Sequence, residues 1–471
     1  MFLLLYAHIA RKKRAKVRLF FELRKYSMHF FVKKVILPHK TCTFRYYFVT
    51  LPRKVDITNK IYIIMRKILL TLVAAMCCIA LQAETIYFDC GENGDNMWAE
   101  FNTGSGALFL VGTGAMADYE KVEDVPWYKY KDQITSIQKD DRSQYTRIGD
   151  YAFWGYTKLT SIDLPNTVDT IGRNAFRSCR KLQEINFPTS LKCISYFAFA
   201  YCDALTSLIL PNGLEEVGTM AFSQSETLAS VTIPASVKKV GWSAFGGCSS
   251  LTAINVDSNN ATYCSLNGVL FSKDQKTLCA FPAGIEGSYT VPSSVETIDH
   301  YAFFSCDKLA EVIIPQGVTR INNYVFAHCK FEHIELPEGL TYLGESVFWY
   351  SKLTSVILPS TLKQIGYGCF DSCKSLTSIT CKAPTPPTCK EKVFENVDLT
   401  ACKLYVPAAS LTAYKAADTW KDFGNNILPL GEGIEDIVAP TDKARKVMME
   451  GQLFIATPDG KIYNATGAEV K

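Results

Sequence analysis

Histidine is scarce in this chain. There are six in 471 residues, and three of them, His8, His29 and His39, precede Met65. The remaining His300, His328 and His333 form no paired-histidine metal motif, and the chain carries neither a nucleophile elbow nor a phosphate-binding glycine loop. No residue set points to a cofactor, and the reading is that of a protein that is not an enzyme. The apolar run Ile68 to Leu81 falls short of the roughly 20 residues that a membrane-spanning helix needs. An excess of positive charge is confined to the start. Residues 1–64 hold fifteen Lys and Arg against Glu22 and Asp56, a balance of +13. The whole chain has 50 basic and 46 acidic residues, so residues 65–471 carry 35 against 44, or −9. An acidic chain of this kind is a poor match for nucleic acid.

What the sequence has in plenty is a repeat. Phe153, Phe176, Phe199, Phe222 and Phe245 are 23 residues apart, and Phe303, Phe326, Phe348, Phe370 and Phe394 resume at steps of 23, 22, 22 and 24. Alanine precedes most of these rings, and a leucine follows six residues later (Leu159, Leu182, Leu205, Leu228, Leu251, Leu309). An alternating strand such as Leu159-Thr-Ser-Ile162-Asp-Leu164 closes each unit, and Pro165 ends it because proline cannot donate to a ladder. Val168 and Ile171 fill the return side, with Gly172 expected to allow the bend. One unit cannot bury this much apolar surface alone, so neighbours must stack as a solenoid.

The unit resembles that of the BspA-like leucine-rich-repeat family of bacterial surface proteins, V-x-x-I-G-x-x-A-F-x-x-C-x-x-L-x-x-I-x-I-P, over roughly Ile148 to Thr380. The resemblance implies an α/β-type repeat solenoid with a parallel strand stack. It also implies adhesion to host extracellular-matrix proteins or to other microbes. A glycan-capturing surface protein and a structural spacer that presents another module remain open as alternatives.

Six segments follow. Residues 1–64 read as an upstream extension from a start codon placed too early. Residues 65–83 read as a secretory signal peptide, with Arg66 and Lys67 before the apolar stretch and Gln82-Ala83 at the cut. Residues 84–146 resemble the family's β-rich amino-terminal cap, including Met116, Asp118, Tyr119 and Pro126-Trp127. Trp127 is expected to lie against the first coil. The solenoid occupies 147–382, with a hairpin insertion near 257–290 signalled by Asn267-Gly268. Residues 383–430 resemble the short helical carboxy-terminal cap. Residues 431–471 read as a linker and a small β tail with a turn at Asp459-Gly460, of the sort that sorts or anchors secreted proteins. Any membrane contact would run through it. The expected location is outside the cell or on its surface.

Of seventeen cysteines, fourteen follow residue 83. Cys179, Cys202, Cys248, Cys306, Cys329 and Cys373 stand three residues after a repeat phenylalanine and are expected to pack as reduced thiols. Cys369, Cys373 and Cys381 have core positions, which weighs against zinc ligation with Cys389. The irregular pairs Cys264 with Cys279 and Cys389 with Cys402 are disulfide candidates in an oxidising space. The outward strand positions supply the expected binding face: Asp163, Glu184, Asn186, Thr232, Asn255, Glu311, His333 and Glu335. A second candidate is a set of aromatics just after the repeat phenylalanine, Trp349 and Tyr350 foremost, joined by Trp154, Tyr201 and Phe304.

Overall fold

The structure is a computed structural model that describes residues 84–430, with further strand segments before and after them. The chain divides into two compact units, Met1–Ala80 and Leu81–Lys471. In the first, Phe20–Arg24 pairs antiparallel with Ser27–Phe31. The rest of the expected extension, apart from the short pair Ile36–Leu37 and Lys40–Thr41, and all of the expected leader 65–83 lie outside the described residues. In the second, the tail strands Arg445–Met449, Gln452–Ala456, Ile462–Asn464 and Glu469–Val470 pair in antiparallel sequence, and the Asp459-Gly460 turn lies outside the described residues.

Residues 84–430 form a parallel-strand solenoid of about thirteen turns, entered through the antiparallel strands Thr85–Gly91, Gly94–Asn102 and Ala107–Ala115. Each coil contributes to two ladders. The front ladder runs through strands such as Ser161–Asp163 and Glu184–Asn186, register Ser161 to Glu184 and Asp163 to Asn186. The return ladder uses two-residue strands, Thr170–Ile171 on Cys193–Ile194 and Glu216–Val217 on Lys239–Val240. Alternation puts Ile162, Leu164, Val168 and Ile171 inside, all essentially buried. The core between the ladders is a column of rings. Phe153, Phe176, Phe199, Phe222 and Phe245 stack with centroids 5.1 to 5.7 Å apart and planes within 4–11°. Burying one such ring contributes about 1.5–3 kcal/mol. A solenoid exposes two ends, and here each is met by tryptophan. Trp127 is fully buried and stacks on Phe153 at 5.5 Å. Trp420 and Phe423, following the helix Leu411–Ala416, sit edge-on to Phe394 at 5.7 and 5.2 Å.

The cysteine position has a specific task. Cys202 Sγ donates to the carbonyl of Phe176 in the preceding coil at 3.4 Å, and Cys179, Cys248, Cys329 and Cys373 make the same bond at 2.9–3.2 Å. Ser225 fills the position with the same geometry, Oγ to Phe199 O at 3.3 Å. A small donor therefore fills the site in most coils, with Tyr156 in the first coil and Val397 in the last as exceptions. Burial pushes the Cys248 and Cys373 thiols up to about 12, so they stay protonated as donors.

Three expectations need correcting. All fourteen cysteines among the described residues are free thiols. Cys264 and Cys279 lie on strands with Val269–Ser272 between them, about two strand spacings apart and beyond disulfide reach. Cys389 belongs to the return ladder and Cys402 adjoins the front one, so the core separates them. Gly172 does not make a bend. Its φ is ordinary, and a Cβ there would fall 2.7 Å from Asp150 N and 2.8 Å from Gly149 C in the preceding coil. The 22-residue steps also have a local cause. One residue is missing between the small-donor position and the next core residue, so Phe331 follows Cys329 by two where Leu205 follows Cys202 by three. Strand register is kept regardless, His333 on Ser355 and Ser355 on Ser378.

Candidate functional site

The ten residues singled out from sequence occupy two surfaces. Eight lie on the front ladder. Glu184, Asn186, Thr232, Asn255, His333 and Glu335 are exposed, and Asp163 and Glu311 are half-buried. Several are already engaged: Asp163 with Lys139 at 3.0 Å, Glu335 with Lys382 at 2.9 Å, and Glu311 as acceptor from Ser288 Oγ at 3.1 Å. His333 and Glu335 share one strand face, but the His333 ring meets Ser355 Oγ at 2.7 Å through Nδ1, and among the described residues no carboxylate orients it. The contact is exposed and lacks the third group that a nucleophilic pair requires. Ile209, in the row between Asn186 and Thr232, is 86% exposed, more than any other large apolar side chain among the described residues.

Trp349 and Tyr350 are elsewhere, on the turn edge beside the ring column. Residues two before and two after every repeat phenylalanine have positive φ. The second set comprises Gly155, Ser178, Tyr201, Gln224, Gly247, Ser305, His328, Tyr350, Ser372 and Asn396, at φ from 54° to 77°. The left-handed conformation costs about 1–2 kcal/mol for a residue with a Cβ. It persists because alternate amides bond the next coil, as Phe199 N to Ala221 O (2.7 Å) and Tyr201 N to Ser223 O (2.9 Å) do. Sequence reasoning missed this regularity because only two of those ten positions hold glycine. Its effect is to aim most of the eight side chains in this set away from the core, Tyr350 and Asn396 among them.

At one place on that edge the walls enclose a groove of about 600 Å³, lined by Tyr201 and Gln224 on one side and by Phe304, His328, Trp349 and Tyr350 on the other. The aromatic side is packed on itself. His328 meets Trp349 edge-on at 4.9 Å and stacks on Tyr350 at 5.5 Å and 8°, while Phe304 meets His328 at 5.5 Å. Desolvation lowers the His328 pKa, with Asp307 opposing. Lys330 pairs with Asp307 at 2.7 Å at the rim.

Asn260 is a further residue that sequence reasoning passed over. It is fully buried at the start of the insertion, its amide donating to Pro234 O and Val237 O at 2.9 Å and accepting from Thr262 N and Tyr263 N at 2.9 and 2.8 Å. The neighbouring Asp257 caps its own turn through Asn259 N.

The sequence pattern of the BspA type leucine rich repeat region matches residues 146–273 and 286–404 in six copies, more than half of the chain. This chain belongs to the BspA-type leucine-rich-repeat family. A leucine-rich repeat protein from Eubacterium ventriosum has a similar structure, 25% identical with a TM-score of 0.54 over 68% of this chain and 78% of that one. The pneumococcal vaccine antigen PcpA is 21% identical, TM-score 0.49, over 73% of this chain and 99% of the other. A leucine-rich cell surface protein of Faecalibacterium prausnitzii is 23% identical, TM-score 0.42, over 63% and 95%. No curated protein sequence matches the chain. Among the described residues no helix is long and apolar enough to cross a membrane.

Proposed function

We propose that this BspA-type protein is a secreted or surface-displayed binding protein whose front ladder adheres to a protein of a host matrix or of another microbe. The observation that carries this reading is the exposed row through Asn186, Ile209, Thr232 and Asn255. It is a rigid, mildly polar surface on parallel backbone with one large apolar side chain at its centre. At about 4.8 Å per coil, thirteen coils extend for about 60 Å, a scale suited to a macromolecular partner. Export through the 65–83 leader and anchoring through 431–471 belong to the same proposal. The test is capture of matrix proteins by the purified protein at physiological salt. Saturable binding that drops at least tenfold in Ile209→Asp supports the reading, and binding indifferent to Ile209→Asp and Thr232→Arg together overturns it. Deleting 431–471 should release the protein from the cell surface; unchanged display would remove the anchoring role.

A further inference from the structure

The groove on the turn edge exists because the repeat is interrupted there. In the coil of Phe245 the two positions after the ring are Gly246 and Gly247, which offer no side chains. The insertion that follows contributes strands to both ladders, and at this edge residues of the coil of Phe303 meet those of the coil of Phe245. A Cβ on Gly246 would lie 3.4 Å from Phe304 Cδ1, and Trp242 lies 4.4 Å from His300 across the same seam. Tyr201 and Gln224 on one side thus face Phe304, His328, Trp349 and Tyr350 on the other, across a coil whose Gly246 and Gly247 put no side chain between them.

We infer that this groove is a carbohydrate site taking a short oligosaccharide, with Trp349 and Tyr350 as stacking platforms. Its ligand class follows from the chemistry of the walls. A sugar ring has a flat face of C–H bonds and an equator of hydroxyls, so it asks for a partly exposed aromatic plane beside uncommitted polar groups. Tyr350 is 49% exposed and Trp349 half-buried, and both are held upright by His328. Around them the Gln224 amide, the Tyr350 hydroxyl, the Trp349 indole N–H and the Lys352 ammonium make no hydrogen bond to another described residue. The volume of about 600 Å³ is inside the roughly 300–1,000 Å³ range of small-ligand clefts. That is room for a few sugar rings. The groove is open and rimmed by Lys330, Lys352 and Asp307, which disfavours an acyl chain. Lys352, unlike Lys330, has no acidic partner among the described residues, so a sugar bearing a carboxylate should bind more tightly than its neutral counterpart.

The experiment is an array of neutral, uronic-acid-containing and sialylated oligosaccharides probed with the full-length protein, followed by titration of the best binder read by tryptophan fluorescence. Tyr350→Ala and Trp349→Ala should each weaken binding at least tenfold, and Lys352→Gln should erase the preference for the acidic sugar. Thermal midpoints within a few degrees of the parent show that the variants fold. Ile209→Asp, on the other surface, should bind sugar normally, which separates this site from the ladder reading. No saturable sugar binding, binding unchanged in both aromatic variants, or displacement by peptides and not by free sugar would each overturn the proposal.

Discussion

From Phe153 to Phe245 a ring arrives every 23 residues and lies flat on the last, at 5.1–5.7 Å and 4–11°. Across the insertion the next ring of the column, Phe281, comes 36 residues after Phe245 and is tilted 25° from Phe303. Phe281 N donates to Ala302 O as the repeat rings donate to the coil after them, and its ring stacks on Phe303 at 4.9 Å, so Phe281 opens the second run of rings. There the strand Val269–Ser272 is buried on both faces, Leu270 joining the core before it and Phe271 the core after it. Asn267 and Gly268, both at positive φ, turn the hairpin that delivers it. In the regular coils the residue types that recur serve packing. At the seam packing is met by other means, and the turn edge is released to form a groove. Regularity marks what holds the fold, and its interruption marks where the surface changes.

The largest expected effect tests the regular half. Phe199→Ala opens a hole between two stacked rings and should cost about 3–5 kcal/mol in denaturant unfolding; a loss under about 1 kcal/mol would contradict the column. At the seam, Asn260→Ala leaves buried carbonyls and amides without their partner and should cost about 2–3 kcal/mol. Were it neutral, the insertion would not depend on that amide. In the ladder of small donors, Cys202→Ser should change stability by less than about 1 kcal/mol, since Ser225 already performs the same bond, whereas Cys202→Val should cost more by removing the donor. Equal losses would mean that volume alone matters there. Thiol titration is a companion measurement: slow labelling in the native protein, and in denaturant without reductant every cysteine of residues 84–430 reactive, fourteen in all.

The smallest effect concerns pH at the groove edge. Burial lowers the pKa of His328 from 6.5, with Asp307 opposing, and lowers that of His300 in the same direction. An unfolded chain therefore takes up protons in a window just below pH 6.5 that the folded one refuses. Stability should decline as pH falls from about 6.5 towards the folded values and level off below them. His328→Gln should flatten that decline in a urea series, and an unchanged slope would place the titrating group elsewhere.

Much of this was legible in the residues. The period, the ring column, the inward strand positions and the small residue at the cysteine position follow from spacing and chemical type, because a solenoid repeats its constraints at every coil. The outward ladder residues were legible too, since alternation puts them opposite the buried ones. Less legible was anything that depends on two coils at once. The role of Gly172 lies in a contact with the coil beneath it, and the place of Phe281 in the column is hidden by its irregular spacing. The left-handed edge is invisible where Tyr201, Gln224, His328 and Tyr350 stand in place of glycine.

By itself the amino-acid sequence determined the repeat, its core and the faces of its strands, because those depend on intervals of two and twenty-three residues along one chain. Only the tertiary structure decided that Tyr201 and Tyr350, 149 residues apart, line one groove. That outcome depends on how an insertion of irregular length seats two coils against each other, and on backbone conformations that neighbouring coils, not local residue preference, hold in place.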